Sequence, residues 1–230
     1  MNTLDIIMPC KGRLNHAYHA IDGLLKQSLQ NWRLIFVDFN CPDQSGAKII
    51  DKFHEKDLNR VISLTAAVPA DHFNLAESRN FGAKHGSGDY IFFMDADTIL
   101  ESAVFLEEAI SRIQAHGNAY QCGWVNGKAT GNLLVKRSDF IAVDGYNELC
   151  QGWGFEDIDI YFRLDSKGVK RTGFPDGIDN LQHGDEFRVL YYKEKNVQKS
   201  NRRNIAISQS KFKGYAQNQT YLLQRHSWMV

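Results

Sequence analysis

Apolar residues along this chain fall into short unbroken runs separated by amphipathic stretches. The strongest run, Tyr90-Ile91-Phe92-Phe93-Met94, follows Gly88 and passes straight into Asp95-Ala96-Asp97. A run of this length, bounded by a glycine and by polar residues, predicts a strand buried on both faces. Leu4 to Met8 predicts a strand stopped by Pro9, Trp32 to Val37 a second closed by Asp38, and Arg60 to Leu64 a third. Between them, apolar positions recur at helical spacing. Ala17, Ala20, Ile21, Leu24 and Leu25 form one stripe, a helix is expected through Ala47 to His54, and another from Asn74 to Lys84 is stopped by Gly86-Ser87-Gly88. A further helix is expected from Glu101 to about His116. This alternation predicts an α/β fold with a mostly parallel central sheet and right-handed crossovers.

The second half has a different pattern. Ala119 to Trp124 and Asn132 to Lys136 look like strands separated by Gly123, Gly127 and Gly131. Asp144-Gly145 marks a turn. Glu156, Asp157 and Asp159 crowd the start of a helix that runs to about Ser166 and is closed by Gly168. Lys193 to Arg203 is polar and basic with little apolar pattern, which predicts a mobile loop. No repeat or linker interrupts the chain, so a single domain over 1–230 is expected. About 1–100 would form one half, about 101–185 a second, and about 186–230 a lid and tail.

Composition narrows the function classes. Lys+Arg and Asp+Glu number 27 each in 230 residues, so net charge supplies no argument for nucleic-acid binding. No apolar run approaches the roughly 18 residues of a membrane span, and the N-terminus has no signal-peptide pattern. Cys10, Cys41, Cys122 and Cys150 are scattered without a C-x-x-C pair, which argues against a thiolate metal site or a disulfide framework and for a reducing, cytoplasmic setting. The basic 193–203 segment leaves contact with a membrane periphery or a lipid-diphosphate acceptor open, with a solvated loop the simpler reading.

The chemistry concentrates just past the Tyr90–Met94 strand. Open α/β sheets bind ligands beyond the carboxyl ends of their strands. If the extended geometry continues, Asp95 and Asp97 share a direction and offer hard oxygen ligands to a divalent cation, which would in turn bind a phosphate or diphosphate. Those three residues alone fit a polar turn ahead of a helix better. Neither G-x-G-x-x-G nor G-x-x-x-x-G-K-[ST] follows any strand.

Taken together, Lys11 and Arg13 after the first strand, Val37-Asp38 with Cys41-Pro42-Asp43, Glu77-Ser78-Arg79-Asn80-Phe81-Gly82-Ala83, Met94-Asp95-Ala96-Asp97 and Gly152-Trp153-Gly154-Phe155-Glu156-Asp157 resemble, in order, the motifs of nucleotide-sugar glycosyltransferases of the GT-A fold. The likeness is to family 2 enzymes and to the β-1,4-galactosyltransferase and chondroitin-polymerase group, and it covers about residues 4 to 185. It implies a nucleotide-diphosphate sugar donor, uridine-linked by analogy, and a saccharide or glycoconjugate acceptor. Pro9, Lys11, Arg13 and Asp38 would line base and ribose, although Phe39 stands where many relatives carry a second acid. Arg79 would approach the diphosphate. Asp97 would ligate Mn²⁺ or Mg²⁺, Asp95 would assist or hold the ribose with Ala96 beside it, and His183 would be a further ligand. Asp157 would be the general base of an inverting transfer, with Glu156 holding an acceptor hydroxyl and Trp153 stacking on a sugar face. Ile158 replaces an acid found in the galactosyltransferase group. Two other readings are a sugar-phosphate nucleotidyltransferase, for which Cys10-Lys11-Gly12-Arg13 supplies too little glycine, and a non-catalytic sugar-binding relative, which would not need the full acid set.

Overall fold

The computed structural model describes residues 3–182, 184 and 189–212, the last three as backbone only. Its centre is a seven-stranded sheet in the order β3-β2-β1-β4-β7-β6-β8, with β1 Leu4–Cys10, β2 Trp32–Asp38, β3 Val61–Thr65, β4 Tyr90–Phe93, β6 Ala119–Cys122, β7 Leu133–Lys136 and β8 Lys170–Thr172. Strands β3, β2, β1 and β4 run parallel, as expected for strands joined by helical crossovers. β7 returns antiparallel between β4 and β6. A separate two-stranded ribbon joins β5 Thr98–Leu100 to β9 Ile178–Asn180.

Side-chain alternation divides the core between the two faces of the sheet. Ile6, Met8, Leu34, Phe36 and Phe92 pack with α1 Leu14–Leu25 and α4 Phe105–His116 on one face. Ile7, Ile35, Val37, Ile91 and Phe93 pack on the other with α3 Leu75–Lys84, α5 Arg137–Ala142 and α6 Glu156–Ser166. Every residue of β4 is buried, in agreement with the two-sided burial its apolar run predicts.

Several boundaries differ from expectation. β1 does not stop before Pro9 but continues to Cys10. The odd-numbered residues of β1 turn their backbone groups toward β4, where pairing ends at Ile7 opposite Phe93, so the N–H that Pro9 lacks has no ladder partner to lose. The expected 47–54 helix is one turn, α2 Ser45–Lys48, followed by two 3₁₀ segments, because only Ile49 and Phe53 anchor that stretch. The helix expected from Glu101 starts at Phe105, and β5 precedes it.

The largest correction concerns 193–203, expected as a mobile loop. From Val197 this stretch belongs to a helix, α7 Val197–Phe212. Its inward face is Ser200, Asn204 and Ser208, all buried, at a spacing of four. Hydrogen bonds rather than apolar packing seat this helix, which is why an apolar pattern is missing. None of the described helices is long and apolar enough to cross a membrane.

At the amino end of the parallel strands, buried Asp5 joins three segments. Its Oδ1 accepts from Arg33 Nη2 at 2.8 Å, and its Oδ2 accepts from Gly88 N and Arg137 Nη2, each at 2.6 Å.

Candidate active site

The carboxyl ends of β1 and β4 open onto a cavity of about 630 Å³. After Phe93 the chain leaves the sheet. Asp95 to Thr98 forms a turn closed by Thr98 N donating to Asp95 O at 3.0 Å. The extended geometry expected for Asp95-Ala96-Asp97 is therefore replaced by a turn, yet all three residues line the cavity. The turn is fixed from below by Asn132, which is fully buried. Its Oδ1 accepts from Asp95 N at 2.9 Å and from Thr98 Oγ1 at 3.0 Å, while its Nδ2 donates to Ala129 O.

Beyond β1, Pro9, Lys11 and Arg13 line the same cavity. Lys11 is nearly buried and donates to Phe39 O at 3.1 Å and His72 O at 2.9 Å, and burial lowers its pKa. Arg13 Nη1 reaches Asp97 Oδ2 at 3.2 Å. Asp38, expected against base and ribose, is not among the lining residues. Its Oδ1 accepts from Cys41 N at 2.6 Å and its Oδ2 from Gly46 N at 2.7 Å, so it shapes the turn behind the basic loop instead.

Arg79 also departs from expectation. It lies fully buried beneath the cavity rather than lining it. Its Nη2 donates to Asp95 Oδ1 at 2.7 Å and to Gly131 O at 3.0 Å, and its Nη1 meets Glu156 Oε1 at 3.3 Å. The Tyr146 ring covers its guanidinium at 4.9 Å. Burial works against its charge, but the fields of Tyr146, Asp95 and Glu156 hold its pKa well above the ordinary value. One buried cation thus connects the Asp95 turn to the start of α6.

Glu156, Asp157 and Trp153 line the cavity from that helix and the loop ahead of it. Burial pushes Glu156 up to about 7, reinforced by Asp157 and opposed by Arg79. Burial also raises Asp157, against the hydrogen bond from Ile158 N and the charge of Arg79. Asp159 has a different task, since it is buried in a 2.7 Å ion pair with Arg163. The Gly152–Phe155 loop has left-handed backbone at Gly152, Gly154 and Phe155. Helix α7 supports it: Ser200 Oγ donates to Gln151 O at 3.2 Å and Asn204 Nδ2 to Gly154 O at 2.7 Å. Gly154 has a φ of +93°, a conformation that side chains rarely adopt, and a Cβ there would sit 3.0 Å from Asn201 Oδ1, so the Asn201 side chain would have to shift.

Asp95 and Asp97 are suited to a divalent cation. Burial raises the pKa of Asp95, Arg79 opposes that rise, and the charge of Asp97 adds to it, a repulsion that a hard cation between them would relieve. Among the described residues no group of three or more metal-ligating side chains is gathered. His183 lies outside the described residues.

Some residues in or beneath the cavity carry no sequence signal of their role. Tyr191 packs so closely on the loop after β1 that a Cβ on Gly12 would fall 2.1 Å from its ring. Tyr192 is buried against Phe73 with ring centroids 5.0 Å apart. Asn132 is one asparagine among several in a glycine-rich stretch, and Trp124 is an isolated aromatic. Only their three-dimensional position identifies them.

The cavity thus gathers an acid pair, a basic loop and a second acidic cluster at the carboxyl edge of a parallel sheet. Residues 5–164 match the family model described as Glycosyl transferase family 2, and the chain belongs to that family. A curated relative, an uncharacterized glycosyltransferase of Haemophilus influenzae, is 26% identical over 190 residues, which span 80% of this chain and 69% of that protein. Among solved structures, the mannosyltransferase PcManGT of Pyrobaculum calidifontis, in complex with GDP-Man and Mn²⁺, superposes with a TM-score of 0.66 at 14% identity, over 76% of this chain and 55% of that one. The catalytic domain of Drosophila β1,4-galactosyltransferase 7, in complex with xylobiose, gives 0.56 at 17% identity, over 80% of this chain and 72% of that one. At such identities the two structures establish the GT-A fold and nothing finer.

Proposed function

We propose that this glycosyltransferase moves a sugar from a nucleotide-diphosphate donor, uridine-linked by motif resemblance, to a hydroxyl of a saccharide acceptor with inversion. The observation that carries this reading is the Arg79 bridge, which brings the Asp95–Asp97 turn and the Glu156–Asp157 helix start to one cavity. Kinship with the galactosyltransferase and chondroitin-polymerase group belongs to the same proposal and rests on the Gly152–Asp157 motif.

Lys11 and Arg13 supply positive charge on the donor side. Asp97 and Asp95 would hold a divalent cation, Mn²⁺ or Mg²⁺, whose charge stabilises the leaving diphosphate. A cation held by Asp97 would compete with Arg13 for that carboxylate, and Arg13 would then add its charge on the diphosphate side. Asp157 accepts the acceptor's proton as the hydroxyl oxygen attacks the anomeric carbon, and its raised pKa favours that task. Glu156, anchored by Arg79, receives an acceptor hydroxyl, and Trp153 offers an apolar face to a sugar ring. Arg79 keeps the two acid groups in register from below, a positioning role that replaces the diphosphate contact implied by resemblance.

Incubation with Mn²⁺ and a panel of nucleotide-sugars, each with and without saccharide acceptors, tests the reading. Nucleotide release that depends on both acceptor and metal is expected. Pyrophosphate consumption with nucleoside triphosphate formation would identify a nucleotidyltransferase instead, and binding without turnover would identify a non-catalytic relative.

A further inference from the structure

Trp124 is the largest of the exposed apolar side chains among the described residues, at 53% exposure, and its neighbour Val125 is exposed to the same degree. A tryptophan presented to water is an unusual use of the most apolar surface a side chain can offer, and such surface commonly marks a binding face. Trp124 stands on the 123–132 loop between β6 and β7, and it lines the same cavity as Trp153 and Asp157.

The loop is held firmly. At its start, Gly123 packs against the loop's own return, so that a Cβ there would fall 2.0 Å from Lys128 O. In the middle, Asn126 Nδ2 donates to Phe174 O at 3.2 Å, and Val125 packs on Gly173. Phe174 is itself buried against Phe92 and Phe105. At its end, Ala129 O accepts from both Asn132 N and Asn132 Nδ2. A pinned loop that keeps an indole out of the core gives it a fixed position over the cavity, with little ordering entropy left to lose when a ligand arrives.

The surrounding groups indicate the ligand chemistry. Asp179, Asn180 and Gln182 also line the cavity. An apolar ring face beside amides and carboxylates matches a pyranose, which has one face of C–H groups and a rim of hydroxyls. Asn180 Oδ1 and Asp179 Oδ1 each already accept one bond, from Thr98 Oγ1 and Asn180 N, and a purely apolar partner would offer nothing to the donors and acceptors that remain. Trp153 stands three residues before Glu156 and four before Asp157, so its indole serves the ring whose hydroxyl is activated. Trp124 comes from a different loop, the connection from β6 to β7.

We infer that Trp124 is a second stacking platform, which binds the next ring of an acceptor at least two sugars long. This rests on the proposed glycosyl transfer and specifies its acceptor. The test compares Trp124→Ala and Trp124→Phe with wild type on monosaccharide and disaccharide p-nitrophenyl glycosides. In Trp124→Ala the disaccharide KM should rise on the order of 2- to 10-fold, the range expected for loss of one aromatic stacking contact. The monosaccharide KM and donor KM should stay unchanged, and Trp124→Phe should keep most of the advantage. Titration of intrinsic fluorescence with the corresponding methyl glycosides reads binding without turnover; Trp153 responds to either acceptor, and the part of the signal that the disaccharide adds beyond the monosaccharide should be lost in Trp124→Phe. An unchanged disaccharide KM and fluorescence response in Trp124→Ala would overturn the inference, as would equal losses for both acceptors or a change confined to the donor. Absence of nucleotide release in wild type would instead count against glycosyl transfer itself, while the fluorescence titration still decides whether Trp124 holds a disaccharide.

Discussion

Arg79 meets Asp95 at 2.7 Å and Glu156 at 3.3 Å with no exposure to solvent, so the charges of the site are set mainly by what lies beneath it. The acids were legible as residue types in motifs. The depth of Arg79 was not, because a helical arginine carries no mark of burial when its partners are distant in sequence. Asp38 likewise reads as a ligand group until its two oxygens are seen bound to backbone N–H groups. At this scale Asp157→Asn should cost ~10²–10⁴ in kcat with donor affinity nearly unchanged, since the lost interaction exists only as the acceptor attacks. Steady-state kinetics with a donor titration checks this. The base must be ionised to act. Burial raises Asp157, and Glu156 beside it is pushed up to about 7, so the acid limb of kcat/KM should lie above the ordinary aspartate value of about 3.9. Arg79 lowers both groups, so Arg79→Met should move that limb to higher pH. An acid limb at or below the ordinary aspartate value in wild type, or one that Arg79→Met leaves unmoved, would contradict this.

Among the elements, α7 shows how a polar helix can be part of a site. Three of the parallel strands, β1, β2 and β4, are legible because their apolar runs are buried on both faces, and the edge strand β3 is legible from its apolar run although it is only half-buried. α7 is not, because its inward face is Ser200, Asn204 and Ser208. Hydrophobic periodicity cannot register a face that is satisfied by hydrogen bonds. Asn204 Nδ2 caps Gly154 O within the loop that carries Trp153. Asn204→Leu leaves that carbonyl without its donor, at a cost of roughly 1–3 kcal/mol. The expected result is faster amide exchange over 152–155 and a raised acceptor KM, with nucleotide affinity preserved. Equal exchange in both proteins would mean that the loop holds itself.

For the molecule as a whole, the parallel half carries the basic loop and the acid turn, and the reversal at β7 brings the second half over the same rim. Since both halves contribute to one cavity, ligand binding should stabilise the entire domain. A nucleoside diphosphate at about 100 times its Kd adds about 2.7 kcal/mol, or roughly 5–10 °C in Tm for a chain of this size. That shift should need Mn²⁺ and nucleotide together, exceed the sum of the two alone, and disappear in Asp97→Asn, as measured by calorimetry. The Asp5 cluster has a consequence of a different kind. β1 precedes every other strand of the sheet in chain order and becomes a central strand, yet its buried carboxylate bonds Gly88 and Arg137, the latter 132 positions further along the chain. During synthesis this strand therefore carries an incompletely neutralised charge until Arg137 has emerged. Native sheet assembly is deferred to that point, and the order of translation becomes a constraint on the folding pathway.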